Sequence, residues 1–244
     1  MKKLALALGL AVPSIGFAAK SLPTVPQDCL DDVQLKGYCT DYEAPIFKGP
    51  VNIKFFVVAD KSVFPTVEAA IARYTDFAAW PQYVVNSGKT NVEFVTSVNM
   101  EPIPAKDGNG EVLRHYANYR LKAPVVGWQD VRVLTHNNIV EPYEGALASL
   151  ELTVQSQGTQ EVPAGEKALE GSEGVKNQIG SVHAIDCAKS NLCTEDQHLL
   201  VYESTITPDI DILPSVAAGA IQEGIEAIII GMFSNVDGDD GEVL

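Results

Sequence analysis

Residues 51–84, VNIKFFVVADKSVFPTVEAAIARYTDFAAWPQYV, are the part of the sequence that decides the fold. Their first ten residues are rich in β-branched and aromatic side chains and predict a strand. A short helical segment follows and runs into YTDFAAWPQYV, residues 74–84. Because proline disfavours helical geometry in the residue before it, we expect the stretch Asp76–Pro81 to end this helix, with Trp80-Pro81 closing it. Phe77 or Trp80 should then press against the sheet or the rim of a cavity.

Strand-like segments continue along the chain after this helix. Their alternation of apolar and polar residues is typical of an antiparallel sheet with one face toward solvent. Asn109-Gly110 is a strong signal for a hairpin turn between two of the strands. The seven candidate strands are residues 51–60, 91–100, 112–121, 128–136, 146–154, 180–187 and 198–206.

The C-terminal segment PSVAAGAIQEGIEAIIIGMF, residues 214–233, has a helical pattern instead. A helix of this length would be about 30 Å long at ~1.5 Å per residue. Its polar residues Gln222, Glu223 and Glu226 fall within about 100° of arc. Because the rest of the circumference is apolar, we expect other parts of the protein to cover most of this helix.

A line of small residues runs along the predicted helix, opposite the polar arc. Glycine inside a helix costs up to ~1 kcal/mol relative to alanine, so glycines on a buried line need a packing or cavity reason. Such a line either lets the sheet approach closely or leaves space unfilled, and the sequence alone favours neither. The residues are Ala217, Ala220, Gly224, Ala227 and Gly231.

The order of elements is one strand, short helices, six strands and a long C-terminal helix. With the Asp-Phe-x-x-Trp-Pro stretch at 76–81, this order resembles the helix-grip fold of the START and polyketide-cyclase-like (SRPBCC) superfamily. The resemblance covers residues 51–235. It implies an α+β fold in which a curved seven-stranded antiparallel sheet wraps around the C-terminal helix, with short helices after the first strand.

The resemblance also implies a deep apolar cavity between sheet and long helix, in which relatives hold lipids, sterols, polyketides or hormones. The resemblance thus implies a hydrophobic small molecule as partner, a lipid or sterol-like ligand. His115 and Tyr119 share strand parity and would face the cavity together. The candidate ligand-binding residues are Trp80, His115, Tyr119, Ala220, Gly224, Ala227 and Gly231.

A long polar segment, residues 157–178, separates the predicted fifth and sixth strands. In START relatives, the loop at this place helps to cover the mouth of the cavity. Loops of this length inside a compact domain are usually functional or disordered. Both interpretations of this segment therefore stay open.

The N-terminus predicts export. Residues 1–18 have two lysines, an apolar run and small residues at their end, the pattern of a cleaved signal peptide. With the resemblance, this predicts an exported bacterial member of the superfamily, periplasmic or secreted. We further expect a disulfide-stapled extension over 19–50, the helix-grip domain over 51–235 and an acidic tail over 236–244. The formal charge of −15 makes nucleic acid an unsuitable partner.

The four cysteines form two close pairs in the sequence. Disulfides persist in exported proteins, and short loops favour the pairs Cys29–Cys39 and Cys187–Cys193. A zinc site is the rival interpretation, but the spacings lack the usual Cys-x-x-Cys pattern and no histidine lies at a matching interval. We therefore expect two disulfides, no metal and no cofactor.

Signals of enzymatic activity are weak. The sequence has no Gly-x-Ser-x-Gly elbow, no phosphate-binding loop and no His-Glu-x-x-His pair. The C-terminal DGDDGEVL does not fit a calcium loop. An enzyme of the cyclase type would need acid or base groups in the cavity, such as His115 beside Tyr119. The histidines are isolated in predicted strands: His115, His136, His183 and His198.

Three functions remain open from the sequence. The first is an exported binding protein for a hydrophobic small molecule, and transient contact with a membrane is compatible with it. The second is a cyclase-like or hydrolytic enzyme that uses the same cavity. The third is an interaction protein whose core is filled by side chains. The identity of the ligand depends on cavity geometry, which residue types alone do not fix.

Overall fold

The computed structural model describes the strands, the helices and most of their connections. The predicted signal peptide and acidic tail lie outside the described residues, as do parts of the 157–178 segment. The described residues are 22, 24–45, 49–106, 108, 110–124, 127–155, 162–166, 174–189, 192–209 and 214–233.

Eight strands form one open sheet. In chain order they are β1 (Tyr38–Glu43), β2 (Val51–Asp60), β3 (Val92–Pro104), β4 (Glu111–Ala123), β5 (Gly127–Val140), β6 (Ala148–Gln155), β7 (Gly174–Asp186) and β8 (Gln197–Asp209). Their order across the sheet is β1-β2-β8-β7-β6-β5-β4-β3, and every neighbouring pair is antiparallel. All seven predicted strands are present, and β1 is the additional one.

In the part of the chain that the structure describes, four α-helices accompany the sheet. They are α1 (Gln27–Lys36), α2 (Val67–Thr75), α3 (Trp80–Asn86) and α4 (Pro214–Phe233). The predicted helix-grip class is confirmed, since α4 packs on the sheet and the short helices α2 and α3 follow β2. We call the sheet face toward α4 the inner face and the opposite one the outer face.

Helix α4 is the core helix of the domain. Residues 215–233 are long and apolar enough to cross a bilayer by length and composition alone. In the fold, however, this helix contacts β1, β2, β4 and α3. Its apolar side chains join two hydrophobic clusters with the inner face of the sheet. The core thus lies between α4 and the sheet.

Glu226, on the polar side of α4, bonds this helix to the edge strand of the sheet. Glu226 is buried, and its Oε1 accepts hydrogen bonds from Thr40 Oγ1 of β1 (2.9 Å) and from Gln222 Nε2 (2.9 Å). Its Oε2 forms an ion pair with Lys89 Nζ at 3.3 Å. Because these partners neutralise a buried carboxylate, they fix the position of α4 relative to β1 and to the end of α3.

The N-terminal extension supplies the additional edge strand. Helix α1 ends at Gly37, whose φ of 76° is the left-handed geometry that glycine adopts easily. A disulfide joins Cys29 of α1 to Cys39 of β1, with the two Cα atoms 5.4 Å apart. A second disulfide, Cys187–Cys193 with Cα atoms 5.3 Å apart, joins the end of β7 to the segment before β8. Both predicted pairs are joined.

The Trp80-Pro81 pair begins a helix instead of ending one. Helix α2 already ends at Thr75, a 3₁₀ turn covers residues 77–79, and α3 starts at Trp80. Trp80 has helical φ and ψ angles of −54° and −39°. Helix α2 therefore ends at the start of the predicted stretch Asp76–Pro81, but the expectation that Trp80-Pro81 closes this helix is wrong. Proline is tolerated here because the N–H that it lacks would have no partner in the first turn of a helix.

The described part of the predicted 157–178 loop, residues 162–166, packs on the outer face of the sheet. Glu166 accepts hydrogen bonds from Thr96 Oγ1 (2.6 Å) and from the Tyr116 hydroxyl (3.1 Å). Residues 174–178 already belong to β7, which begins six residues before the predicted strand. Residues 162–166 therefore cover the outer face, whereas Val175 and Gln178, which the prediction also placed in the loop, line the inner side of the sheet.

Candidate ligand cavity

A cavity of about 110 Å³ lies between the inner face of the sheet and α4. Strands β3 to β8 and α4 supply most of its walls, and most lining side chains are apolar. No aspartate, glutamate, lysine or arginine is among the described residues that line it. An apolar space with a few polar groups is the usual form of a small-molecule site.

Most of the predicted ligand-binding residues meet at this cavity. Trp80, His115, Tyr119, Ala220 and Gly224 all line it. His115 and Tyr119 lie on the same face of β4, as their strand parity predicted. These five residues come from three separate parts of the chain, which the fold brings together.

Ala227 and Gly231 do not line the cavity, so the predicted line of small residues divides into two halves. Ala227 is fully buried in the core beneath the sheet. Gly231 packs against α3, where an added Cβ would overlap the carbonyl oxygen of Tyr83. Ala217, Ala220 and Gly224 thus border the cavity, whereas Ala227 and Gly231 serve close packing.

Aromatic rings close one end of the cavity. The Phe77 ring stacks on His115 with centroids 4.5 Å apart and planes 5° from parallel. The Trp80 ring meets both edge-on, with centroid distances of 5.2 Å to Phe77 and 5.0 Å to His115. Trp80 Nε1 donates a hydrogen bond to the carbonyl oxygen of Tyr74 at 3.0 Å. The predicted contact of Phe77 and Trp80 with the sheet is therefore present.

Replacing Trp80 by alanine should lower the free energy of unfolding by about 2–3 kcal/mol, somewhat less than a fully buried ring would cost. The reason is the loss of its contacts with Phe77 and His115 and of the bond to Tyr74. Chemical unfolding measures this change. Val85→Ala on an exposed side of α3 is the control, with an expected effect within about 0.5 kcal/mol. Equal stabilities of the two variants would contradict the anchoring role of Trp80.

Ser97 is a polar neighbour of the cavity that the sequence did not indicate. Its Oγ lies 2.6 Å from the carbonyl oxygen of Phe77 and 2.9 Å from Nε2 of His115. The register of β3 and β4 shifts between Phe94 and Thr96, so both Phe94 and Ser97 face inward. Such a β-bulge re-aims the following side chains. A strict period of two, applied from Phe94 onward, would have placed Ser97 outside.

A second bulge brings Gln178 into the cavity wall. The register of β7 and β8 shifts between Val175 and Asn177, and both Val175 and Gln178 line the cavity. Gln178 Nε2 donates hydrogen bonds to the Tyr202 hydroxyl and to Ser204 Oγ, each at 2.9 Å. The two amide hydrogens of Gln178 are thereby used. Tyr202 accepts one of them and keeps its own hydrogen for donation.

The tyrosines of the cavity stay protonated. Burial raises the pKa of Tyr202 to about 12, although hydrogen bonds from Ser204 and Gln178 oppose this shift. Burial also raises the pKa of Tyr119, and Tyr202 adds to that effect. Both hydroxyls are therefore neutral donors over the physiological pH range.

The stability of the protein should depend on two buried histidines. Burial lowers the pKa of His115 to about 3, and burial lowers that of His183 to about 4 although Glu151 opposes it. An unfolded histidine has a pKa of about 6.5. Below that pH the histidines bind protons in the unfolded chain but stay neutral in the folded one. Their contribution to the free energy of unfolding is therefore complete above about pH 6.5 and decreases as the pH falls toward 4.

Urea unfolding at a series of pH values tests this dependence. We expect a midpoint that falls steadily from about pH 6.5 to about pH 4. In the variant His115→Phe the fall should be shallower, because one of the titrating groups is gone. A midpoint that stays constant down to about pH 4.5 would contradict the burial of both rings as neutral groups.

The other three histidines lie outside the cavity. His183 is buried on the outer face of the sheet, where its ring nitrogens contact Ser149 Oγ (2.9 Å) and Ser181 Oγ (2.8 Å). His136 and His198 are also absent from the cavity wall. Among the described residues, no group of acidic, histidine or cysteine side chains could hold a metal ion.

A second groove lies on the outer face of the sheet. Its volume is about 570 Å³, but its walls include Asp41, Lys54, Glu151 and Glu203. This groove is more open and far more polar than the inner cavity, although it is larger. A hydrophobic ligand would remain exposed to water there, so the inner cavity is the better candidate site.

These features define an α+β helix-grip domain with an apolar internal cavity. The sequence matches no known family model and no curated protein sequence. Among solved structures, the chain is similar to human STARD10, with a TM-score of 0.41 and 11% identity over 89% of this chain and 84% of that one.

A further similar structure is the lipid transfer and protein localization domain of human StarD13 (DLC2). Its TM-score is 0.40 at 14% identity, over 87% of this chain and 100% of that domain. Both likenesses concern the fold, which the order and pairing of this chain's own elements already establish.

Proposed function

We propose that the protein binds a hydrophobic small molecule, a lipid or sterol-like compound, in the cavity between sheet and α4. The observation that supports this best is the cavity wall, which is apolar and has no charged side chain among the described residues. A polar or ionic ligand would lose its hydration there without compensation, whereas an apolar ligand gains from leaving water. Trp80, His115 and Tyr119 would contact it at the aromatic end.

The size of the cavity limits the ligand. One water molecule needs about 10–15 Å³ on the same measure of volume, so about 110 Å³ suits a slender alkyl chain or a single ring. A sterol would need α4 to move away from the sheet.

The two disulfides support a location outside the cytoplasm, because disulfides persist in oxidising compartments. The proposed ligand carrier would accordingly be exported, either periplasmic or secreted.

A cyclase or hydrolase activity in the same cavity has less support. A general base works best when its pKa lies near the working pH. Burial instead lowers the pKa of His115 to about 3, so this imidazole would be a poor base near neutrality. No carboxylate lines the cavity among the described residues to take its place. A filled core fits equally poorly with the open volume between the sheet and α4.

Native mass spectrometry of the purified protein, followed by solvent extraction, tests the proposal. We expect one apolar molecule per chain that dissociates on unfolding and is recovered in the organic phase. The same protein, stripped and titrated with the uncharged fluorophore N-phenyl-1-naphthylamine, should bind one equivalent, with α4 moving away from the sheet to admit its three rings. A stripped protein that binds neither the fluorophore nor any extracted lipid would overturn the proposed function.

A further inference from the structure

We propose that the ligand is a neutral apolar molecule with a hydroxyl group, and that this hydroxyl donates a hydrogen bond to Nδ1 of His115. This inference rests on the proposed function, since it concerns the same cavity. It follows from the positions of hydrogen atoms around His115, Ser97 and Phe77, which the heavy-atom distances determine.

The hydrogen of the Ser97 hydroxyl must point to Phe77. The Ser97 Oγ and the Phe77 carbonyl oxygen are 2.6 Å apart. Two oxygens approach so closely only when a hydrogen lies between them, and the carbonyl has none. Because a serine hydroxyl has a single hydrogen, Ser97 has none left to give to His115.

The contact between Ser97 and His115 therefore fixes the tautomer of the imidazole. Ser97 Oγ lies 2.9 Å from Nε2 of His115. With its hydrogen already given to Phe77, Ser97 can only accept here, so Nε2 must carry the ring hydrogen. A neutral imidazole has one N–H, and burial keeps this ring neutral. Nδ1 is consequently a bare acceptor.

Nδ1 of His115 is buried and has no hydrogen-bond partner among the described residues. The ring is only 1% exposed, and it lines the cavity. Stacking on Phe77 and the edge-on contact with Trp80 hold it in place. A buried acceptor without a partner is unfavourable, so a ligand that brings a donor to Nδ1 gains affinity.

The remaining groups of the cavity exclude charged donors and acceptors. A carboxylate would meet the lone pair of Nδ1, and no cation lines the cavity among the described residues to balance it. An ammonium group would lack a counter-charge for the same reason. A ketone or ether could accept from Tyr119 or Tyr202 but would leave Nδ1 unpaired. A hydroxyl group supplies the donor without a charge.

Competition against N-phenyl-1-naphthylamine with three matched ligands tests the inference: decan-1-ol, its methyl ether and decanoate. The wild-type protein should prefer the alcohol to the ether by about tenfold or more, since only the alcohol satisfies the buried acceptor. Decanoate should bind more weakly than either. In His115→Phe, the flat ring that stacks on Phe77 is kept but the acceptor is gone. This variant should bind alcohol and ether equally.

Ser97→Ala separates the hydrogen-bond role of His115 from its packing role. Without Ser97 to accept from Nε2, the ring hydrogen is free to move to Nδ1, and the preference for the alcohol should fall. The unfolding midpoint of the variant should also fall, since the Phe77 carbonyl and Nε2 lose their partner, but the variant should remain folded. Nitrogen-15 NMR of His115 provides a measurement that needs no variant. It should detect a protonated Nε2 and an unprotonated Nδ1, and the opposite assignment would overturn the inference.

The outcomes distinguish this inference from the proposed function. Binding of alcohol and ether with equal affinity by the wild type would refute the hydroxyl preference but leave a hydrophobic ligand site intact. A preference that persists in His115→Phe would assign the acceptor to another residue. Failure of the wild type to bind the fluorophore, the alcohol and the ether would refute the proposed function itself.

Discussion

Replacing Gly231 by alanine should destabilise the protein by about 3 kcal/mol or more, at the upper end of overpacking effects. A Cβ at this position would overlap the carbonyl oxygen of Tyr83, which belongs to the backbone of α3. Backbone cannot move aside as a flexible side chain does, so α3 and α4 would have to separate. Chemical unfolding monitored by circular dichroism measures the change.

Gly219→Ala is the matched control on the same helix. An added Cβ there meets no atom within 4 Å. Alanine is the better helix former, so this variant should be more stable than the wild type by up to ~1 kcal/mol. If Gly231→Ala were as stable as Gly219→Ala, the close approach of α4 to α3 would be wrong.

Replacing Ala220 by leucine should weaken ligand binding strongly while the fold remains intact. Ala220 lines the cavity, so the larger side chain has empty space to enter. The affinity for N-phenyl-1-naphthylamine should fall about tenfold to a hundredfold, the equivalent of ~1.4–2.8 kcal/mol. The unfolding midpoint should be unchanged or slightly higher. Ala220 is better suited to this test than Gly224, where a Cβ would lie only 2.7 Å from Leu121 Cδ2.

Ala218→Leu provides the contrast to Ala220→Leu. Ala218 is also fully buried on α4, but it does not line the cavity. The same enlargement there overpacks the core and should cost ~1–3 kcal/mol. Binding should persist wherever the variant is folded. If both variants lost the same amount of stability, side chains would fill the space beside Ala220 in solution, and the cavity would be absent.

The sequence predicted the parts of the fold that follow from regular periodicity. The long apolar pattern of residues 214–233 became α4, and the alternating segments became β2 to β8. Strand β1 was missed because YCTDYE is short and polar and lies on an edge of the sheet. The Trp80-Pro81 pair was misinterpreted because the same dipeptide can follow one helix and begin the next.

The cavity could be predicted only in part, for a related reason. His115 and Tyr119 followed from strand parity, which holds along the regular strand β4. The inward orientation of Ser97 and Gln178 could not be predicted, because β-bulges in β3 and β7 interrupt the period of two. Gly231 was assigned to the cavity because helical spacing shows a shared face but not which neighbour covers each turn of that face.

The central claim is that a hydrophobic molecule binds between the sheet and α4, and methyl NMR tests it most directly. Intermolecular nuclear Overhauser effects should connect bound decan-1-ol to the methyl groups of Ala117, Leu121 and Ile225, which line the cavity. Effects confined to exposed methyl groups such as those of Ile139 and Ile179, or none at all with a saturating ligand, would contradict the claim.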